Sequence, residues 1–106
     1  MHGGKLKVNL THPNTIFMRE DGTHAVGDNK NSWVGIDLLK ELFLKEHNHI
    51  CDQLSSKYPH MSDDELFGYA RNIVAAINAK IHTIDWTAEL LKTNQLEVGM
   101  KVNWYG

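Results

Sequence analysis

The stretch from Ser62 to Leu91 constrains this chain more than any other, because its periodicity asks for a helix that must be covered on two sides. Ser62-Asp63-Asp64-Glu65 has the form of a capping box. In that motif the Ser62 hydroxyl accepts from the Glu65 amide while the Glu65 carboxylate reaches back, and an acidic first turn complements the helix dipole. Behind it Leu66, Ala70, Ile73, Ile77, Ile81, Ile84, Ala88 and Leu91 recur at steps of three and four, which is one helix face. The pattern predicts a helix of about 29 residues, roughly 43 Å long at the usual rise. A second uncharged stripe, Ala75, Ala79, His82, Trp86 and Leu90, lies roughly opposite the first. A surface helix would be charged there, so this one is expected to be central, packed on both faces.

The rest of the chain divides near residue 31. Residues 1–31 are rich in Gly, Asn, Asp, His and Thr and hold two short extended candidates, Lys5–Leu10 and Thr15–Met18. Asp21-Gly22 and Gly27-Asp28, both after them, read as turns. This is a loop or β-hairpin arm with little core of its own. Residues 32–106 are the helical part. Ile36, Leu39, Phe43, Ile50 and Leu54 are spaced for one face of a first helix, and Tyr58-Pro59 ends it because proline disfavours helix in the preceding residue. The expected fold is mainly α: two long helices preceded by the arm. One shorter helix and an arm cover only one side of the two-faced helix, so the chain is expected to be a single partial segment, 1–106, of a larger domain.

Size and charge narrow the function classes. A chain of 106 residues allows one small domain. A net charge of -2, spread over both signs, gives no basic field for nucleic acid. Apolar runs of a few residues fall far short of the roughly 20 that cross a bilayer, and no apolar signal-like segment follows Met1. The compartment is left open. The single cysteine, Cys51, has no partner for an internal disulfide; placed between Ile50 and Leu54, it reads as a packed thiol rather than a nucleophile.

Seven histidines raise the question of a metal site. His47 and His49 project from nearly opposite sides of a helix, and His47 with Cys51 supplies two ligands where zinc takes four. No Cys-x-x-Cys, His-Glu-x-x-His, phosphate-binding glycine loop or Gly-x-Ser-x-Gly elbow is present. On residue type alone, Lys45-Glu46-His47-Asn48 reads as the wet side of the first helix. His82 reads as a core histidine bonded to a carboxylate such as Asp85, and Thr87 as a hydroxyl bonded to a carbonyl one turn back. No complete active site is written in these residues.

Taken together and in order, several segments resemble the peroxidase–cyclooxygenase superfamily. Leu42-Phe43-Leu44-Lys45-Glu46-His47-Asn48-His49-Ile50-Cys51-Asp52 is similar to its Leu-Phe-x-Arg/Lys-Glu-His-Asn-x-x-Cys-Asp helix. Tyr58-Pro59, Asp63–Phe67 and Ala70–Val74 continue the likeness in the same order. Lys80–Thr93, Asn103–Gly106 and Gly27–Trp33 resemble the haem-dependent fatty-acid α-dioxygenases more than the cyclooxygenases or mammalian peroxidases. Residues 11–24 carry the likeness least.

The resemblance implies a helical haem peroxidase fold and an oxidoreductase that inserts O2 at the α-carbon of a long-chain fatty acid. The product is a 2-hydroperoxy acid, formed in oxylipin biosynthesis and fatty-acid α-oxidation. A tyrosyl radical generated by the haem removes the α-hydrogen. The distal histidine of relatives lies upstream of this region, and the radical tyrosine and proximal histidine lie downstream. No catalytic residue or haem ligand is therefore expected here, Tyr58 and Tyr69 included, and this segment alone is expected to be inactive. The resemblance admits calcium and membrane association in the parent, with nothing in this segment to indicate either. What it carries over is substrate handling: His82 and Thr87 match a histidine and a threonine that hold the fatty-acid carboxylate, with an arginine from much later in the chain. Lys30 stands where many relatives have arginine near the distal haem pocket, and lysine does not reproduce arginine's planar fork. Two alternatives stand beside this reading: a peroxidase of the same superfamily that does not oxygenate lipid, and a noncatalytic helical interaction module.

Overall fold

The computed structural model describes residues 3–12, 15–25, 27 and 31–105. They form two compact units, Met1–Val74 and Ala75–Gly106.

In the first unit the arm is stitched by two antiparallel bridges, Val8 with Ile16 and Met18 with His24. The extended candidates thus pair at single points rather than along a ladder. Local side chains account for this. The Asn9 carboxamide oxygen accepts from the amide and hydroxyl of Thr11, and an Asp21 carboxylate oxygen accepts from the amide and hydroxyl of Thr23. Such bonds compete with strand pairing for backbone donors. The Asp21-Gly22 turn is present, with Gly22 at φ +79° and its amide donating to the Arg19 carbonyl. Gly27 also lies in the left-handed region, at φ +77°, while its turn partner Asp28 falls outside the described residues.

Helix α1 runs Val34–Lys57 and ends where Tyr58 precedes proline. Its buried residues are Leu44, His47, Ile50 and Cys51. The stripe expected from Ile36, Leu39, Phe43, Ile50 and Leu54 is therefore rotated: only Ile50 among these is buried, and Leu39 is 55% exposed. The reading of Lys45–Asn48 as a wet face also fails at His47, which is 4% exposed. Both corrections have one cause, the docking of the arm.

The arm lies along α1 on backbone hydrogen bonds. The Gly4 carbonyl is 3.0 Å from His47 Nε2, whose ring also packs on Phe67 at a centroid distance of 5.4 Å. Asn48 takes both polar groups of Leu6: the Leu6 amide donates to Oδ1 at 2.8 Å, and Nδ2 donates to the Leu6 carbonyl at 3.3 Å. Lys5 pairs with Asp52 at 2.5 Å, and the Gly3 amide donates to Asp63 at 2.8 Å. Ile16 of the arm is buried, with Leu66 and Ala70 of the next helix.

Helix α2, Asp63–Lys80, begins with the expected capping box. The Glu65 amide is 3.4 Å from Ser62 Oγ, and the Ser62 amide donates to Glu65 Oε2 at 2.9 Å. The Ser62 amide and then the Ser62 hydroxyl, both donating to the Glu65 carboxylate, hold that carboxyl below its ordinary pKa. Of the long stripe behind the box only Leu66 and Ala70 are buried; Ile84 and Leu91 are 55% and 54% exposed. The second stripe is uncovered too, with Trp86 63% exposed.

The expected long helix continues into the second unit but does not remain α. After Lys80 the chain is π-helical over Ile81–Thr87, returns to α-geometry as α3, Ala88–Leu90, and breaks at Leu91. A further helix, α4, spans Asn94–Tyr105. It was not anticipated as a separate element. Its signal is Thr93, whose hydroxyl accepts from the Leu96 amide at 3.2 Å as an N-cap does. No described helix is long and apolar enough to cross a membrane.

Gly4 offers a direct check of the arm contact. It sits at φ +68°, and a Cβ there would lie 2.5 Å from the Phe67 nitrogen and 2.8 Å from Leu66 Cβ. Gly4→Ala is expected to destabilise the protein by roughly 2 kcal/mol or more, from left-handed strain and the clash together. Gly68→Ala, a helical site with nothing within 4 Å, should be neutral or stabilising. Chemical denaturation of the two variants beside the parent sequence measures both.

Candidate carboxylate-binding turn

The residues Ile81-His82-Thr83-Ile84-Asp85-Trp86-Thr87 make up the π-helical segment. Four of the seven are β-branched, a composition that crowds the preceding turn of an α-helix. The flanks are regular: Lys80 lies at φ −63°, ψ −48° and Ala88 at φ −65°, ψ −36°. The wider turn is thus inserted between two stretches of α-geometry.

The Thr87 hydroxyl donates to the His82 carbonyl at 2.6 Å. The expected bond to a carbonyl one turn back is present, and it spans five residues because the turn is π rather than α. His82 differs from the core reading. It is exposed, and among the described residues no hydrogen bond joins its ring to Asp85. Thr87 is half-buried and Trp86 exposed. His82 and Thr87, expected together from the resemblance, are therefore joined within one turn by a hydroxyl-to-backbone bond, with exposed Trp86 preceding Thr87 in the chain. A neighbouring open hollow of about 410 Å3, lined by residues including Ala88, Thr93, Leu96 and Met100, contains neither. Lys30 lies outside the described residues.

The other constellations are structural. His49 bonds to Gln53 at 2.9 Å on the exposed side of α1, away from His47. Asp37 gathers Ser32, Lys40 and His24, at 2.5, 3.4 and 3.3 Å. The Ser32 hydroxyl bond is the main cause that holds its carboxyl below the ordinary range. This cluster ties the end of the arm to the start of α1, and sequence spacing gave no signal for His24 in it. Cys51 is fully buried; burial first, and the neighbouring Asp52 second, push its thiol pKa up.

Among the described residues no group of three His, Cys, Asp or Glu side chains is set to hold a metal ion. The buried donors do not fit a haem either. Among the described residues the one buried histidine, His47, spends Nε2 on the Gly4 carbonyl and lays its ring against Phe67. His24 is committed to Asp37 and His49 to Gln53. No step of haem chemistry is assigned to these residues.

The animal haem peroxidase family model matches residues 1–106, and the chain belongs to that family. Alpha-dioxygenase 2 of Arabidopsis thaliana is 50% identical over 103 residues, covering 97% of this chain and 16% of that protein. The crystal structure of the Arabidopsis thaliana fatty acid alpha-dioxygenase matches with a TM-score of 0.80 at 47% identity, over 98% of this chain and 16% of that one. A crystal structure of a variant fatty acid alpha-dioxygenase of Oryza sativa with palmitic acid matches with a TM-score of 0.79 at 44% identity, over 98% and 17%. The chain spans about one-sixth of the length of the relatives it matches. The mainly helical fold expected from the resemblance is the fold found, and the family implies haem in the parent.

The Cys51 thiol provides a test of the packing at α1. It is expected to react with a thiol-selective reagent at least about a hundredfold more slowly than in the denatured chain, since both exposure and thiolate fraction are suppressed. Rapid native-state labelling would contradict the buried placement.

Proposed function

We propose that this chain is part of a fatty-acid α-dioxygenase and supplies two of the groups that anchor the substrate carboxylate, His82 and Thr87. The observation that supports the reading is the bond from the Thr87 hydroxyl to the His82 backbone carbonyl, in a chain 50% identical over 103 residues to an α-dioxygenase. The parent would add O2 at the α-carbon of a long-chain fatty acid to give a 2-hydroperoxy acid. Haem, bound by parts of the parent beyond these residues, supplies the oxidising chemistry. Any calcium would likewise be held elsewhere.

The chemistry of the anchor follows from its surroundings. A fatty acid must lie in an apolar channel while its carboxylate stays charged, and burying that charge is costly unless donors and a cation meet it. Trp86 presents exposed apolar surface in the same segment, the His82 ring is without a bond to Asp85, and the Thr87 hydroxyl is bonded to the His82 backbone carbonyl. An arginine from later in the parent would supply the cation. On binding, the Thr87 hydroxyl would turn its proton from the His82 carbonyl to a carboxylate oxygen. Lys30 is retained only as a position of the distal pocket, with no fork to bind an anion in two places.

His82→Gln and Thr87→Val, made separately in the full-length enzyme, are expected to leave the haem Soret band intact. Oxygenation of palmitic acid should fall at least about tenfold, the loss of roughly 1.4 kcal/mol of charge-assisted bonding. Oxidation of a small peroxidase substrate, which needs no carboxylate anchor, should change little. Parallel loss of both activities with haem would make His82 structural. No oxygenation of long-chain acids by the unaltered enzyme would favour a peroxidase.

A further inference from the structure

We propose that Asn9 is an N-glycan acceptor, and that the parent protein exposes this arm to the lumen of a secretory compartment. The donor is an oligosaccharide linked to a lipid diphosphate. The inference is independent of the carboxylate anchor.

Three consecutive residues supply the chemistry. Asn9-Leu10-Thr11 has the acceptor form Asn-x-Ser/Thr, with a residue other than proline in the middle. Of the nine asparagines in the chain, Asn9 alone has a hydroxyl residue two places on. A carboxamide nitrogen is a weak nucleophile, so the transferase must hold it beside the sugar, and the hydroxyl is the handle.

The second requirement is a surface turn from which a bulky, hydrated sugar can project. Leu10 is 91% exposed, and Thr11 and His12 are exposed beside it. The turn is closed at its base by the Asn9 amide, which donates to the Thr15 carbonyl at 3.1 Å. Within it the Asn9 carboxamide oxygen accepts from the Thr11 hydroxyl at 2.7 Å and the Thr11 amide at 2.9 Å. The His12 amide reaches the same oxygen at 3.4 Å. All of these bonds fall on Oδ1, and among the described residues no hydrogen bond engages Nδ2. Asn48, by contrast, spends both Oδ1 and Nδ2 on Leu6. The atom to be modified is therefore the one the fold leaves unused. Glycosylation at Nδ2 keeps the carboxamide oxygen, so every bond of the turn survives it.

The step is a substitution at the anomeric carbon. Nδ2 forms a bond to that carbon, the bond from the carbon to the diphosphate oxygen breaks, and the lipid diphosphate leaves with the electron pair. One Nδ2 proton passes to a base of the transferase, and nothing is oxidised or reduced. Cys51 is compatible with an oxidising lumen, because its unpaired thiol is buried and out of reach of disulfide exchange.

The test uses the full-length parent, isolated from the cells that make it and digested with an N-glycanase in heavy-oxygen water. That treatment turns a glycosylated asparagine into labelled aspartate, which peptide mass spectrometry locates. The label is expected at Asn9 in most molecules. Thr11→Ala and Leu10→Pro, made in the same cells, should each lose at least about tenfold of it, while Thr11→Ser keeps it. Leu10→Pro blocks the acceptor form at an exposed position and leaves Asn9 and Thr11 in place, so it decides if Thr11→Ala does not accumulate. An unlabelled Asn9 in the parent overturns the proposal, as does label that persists in Leu10→Pro.

Discussion

The contact between His47 and the Gly4 carbonyl organises the larger unit. Among the described residues His47 is the one polar side chain buried in the core, and its bond partner is a backbone group that an isolated arm would leave to solvent. Removing such a partner leaves a buried carbonyl unsatisfied, at a cost of about 1–3 kcal/mol. Around it Asn48 imitates a strand edge for Leu6, Lys5 meets Asp52, and Asp63 takes the Gly3 amide. Gly4 approaches so closely to Leu66 and Phe67 that no Cβ fits. The His-Asn-x-x-Cys-Asp pattern is thereby explained without any metal: the histidine, asparagine and aspartate grip the arm, and the cysteine fills the space beneath it.

The same contact explains which helix faces are covered. Burial is concentrated where the arm, α1 and the first turns of α2 meet, at Ile16, Leu44, Ile50, Cys51, Leu66 and Ala70. Farther along, apolar residues on two faces are open, including Ile84, Trp86, Leu90 and Leu91. The chain spans about one-sixth of its relatives' length, and within it these helix faces are uncovered. An apolar stripe is a statement about a partner, and the partner need not be in the same segment.

Between these regions the chain changes helix type. A π-turn has poorer backbone bonding than an α-turn, so it persists where local chemistry compensates. Here the compensation is the Thr87 hydroxyl on the His82 carbonyl and the relief of β-branched crowding.

Local chemistry was legible in the residues themselves. The Ser62–Glu65 box, the end of α1 before Pro59 and the turn at Asp21-Gly22 rest on short-range bonding that travels with the sequence. The family was legible through ordered motifs rather than periodicity. What tertiary structure decided was everything that depends on a distant backbone. The buried face of α1 was set by residues 3–6 and not by its own stripe, because unpaired backbone groups must find partners wherever the chain brings them. Likewise the step from α to π at Ile81 is invisible to a fixed helical period, which assigns five residues the same 500° whether or not the turn has widened to hold them.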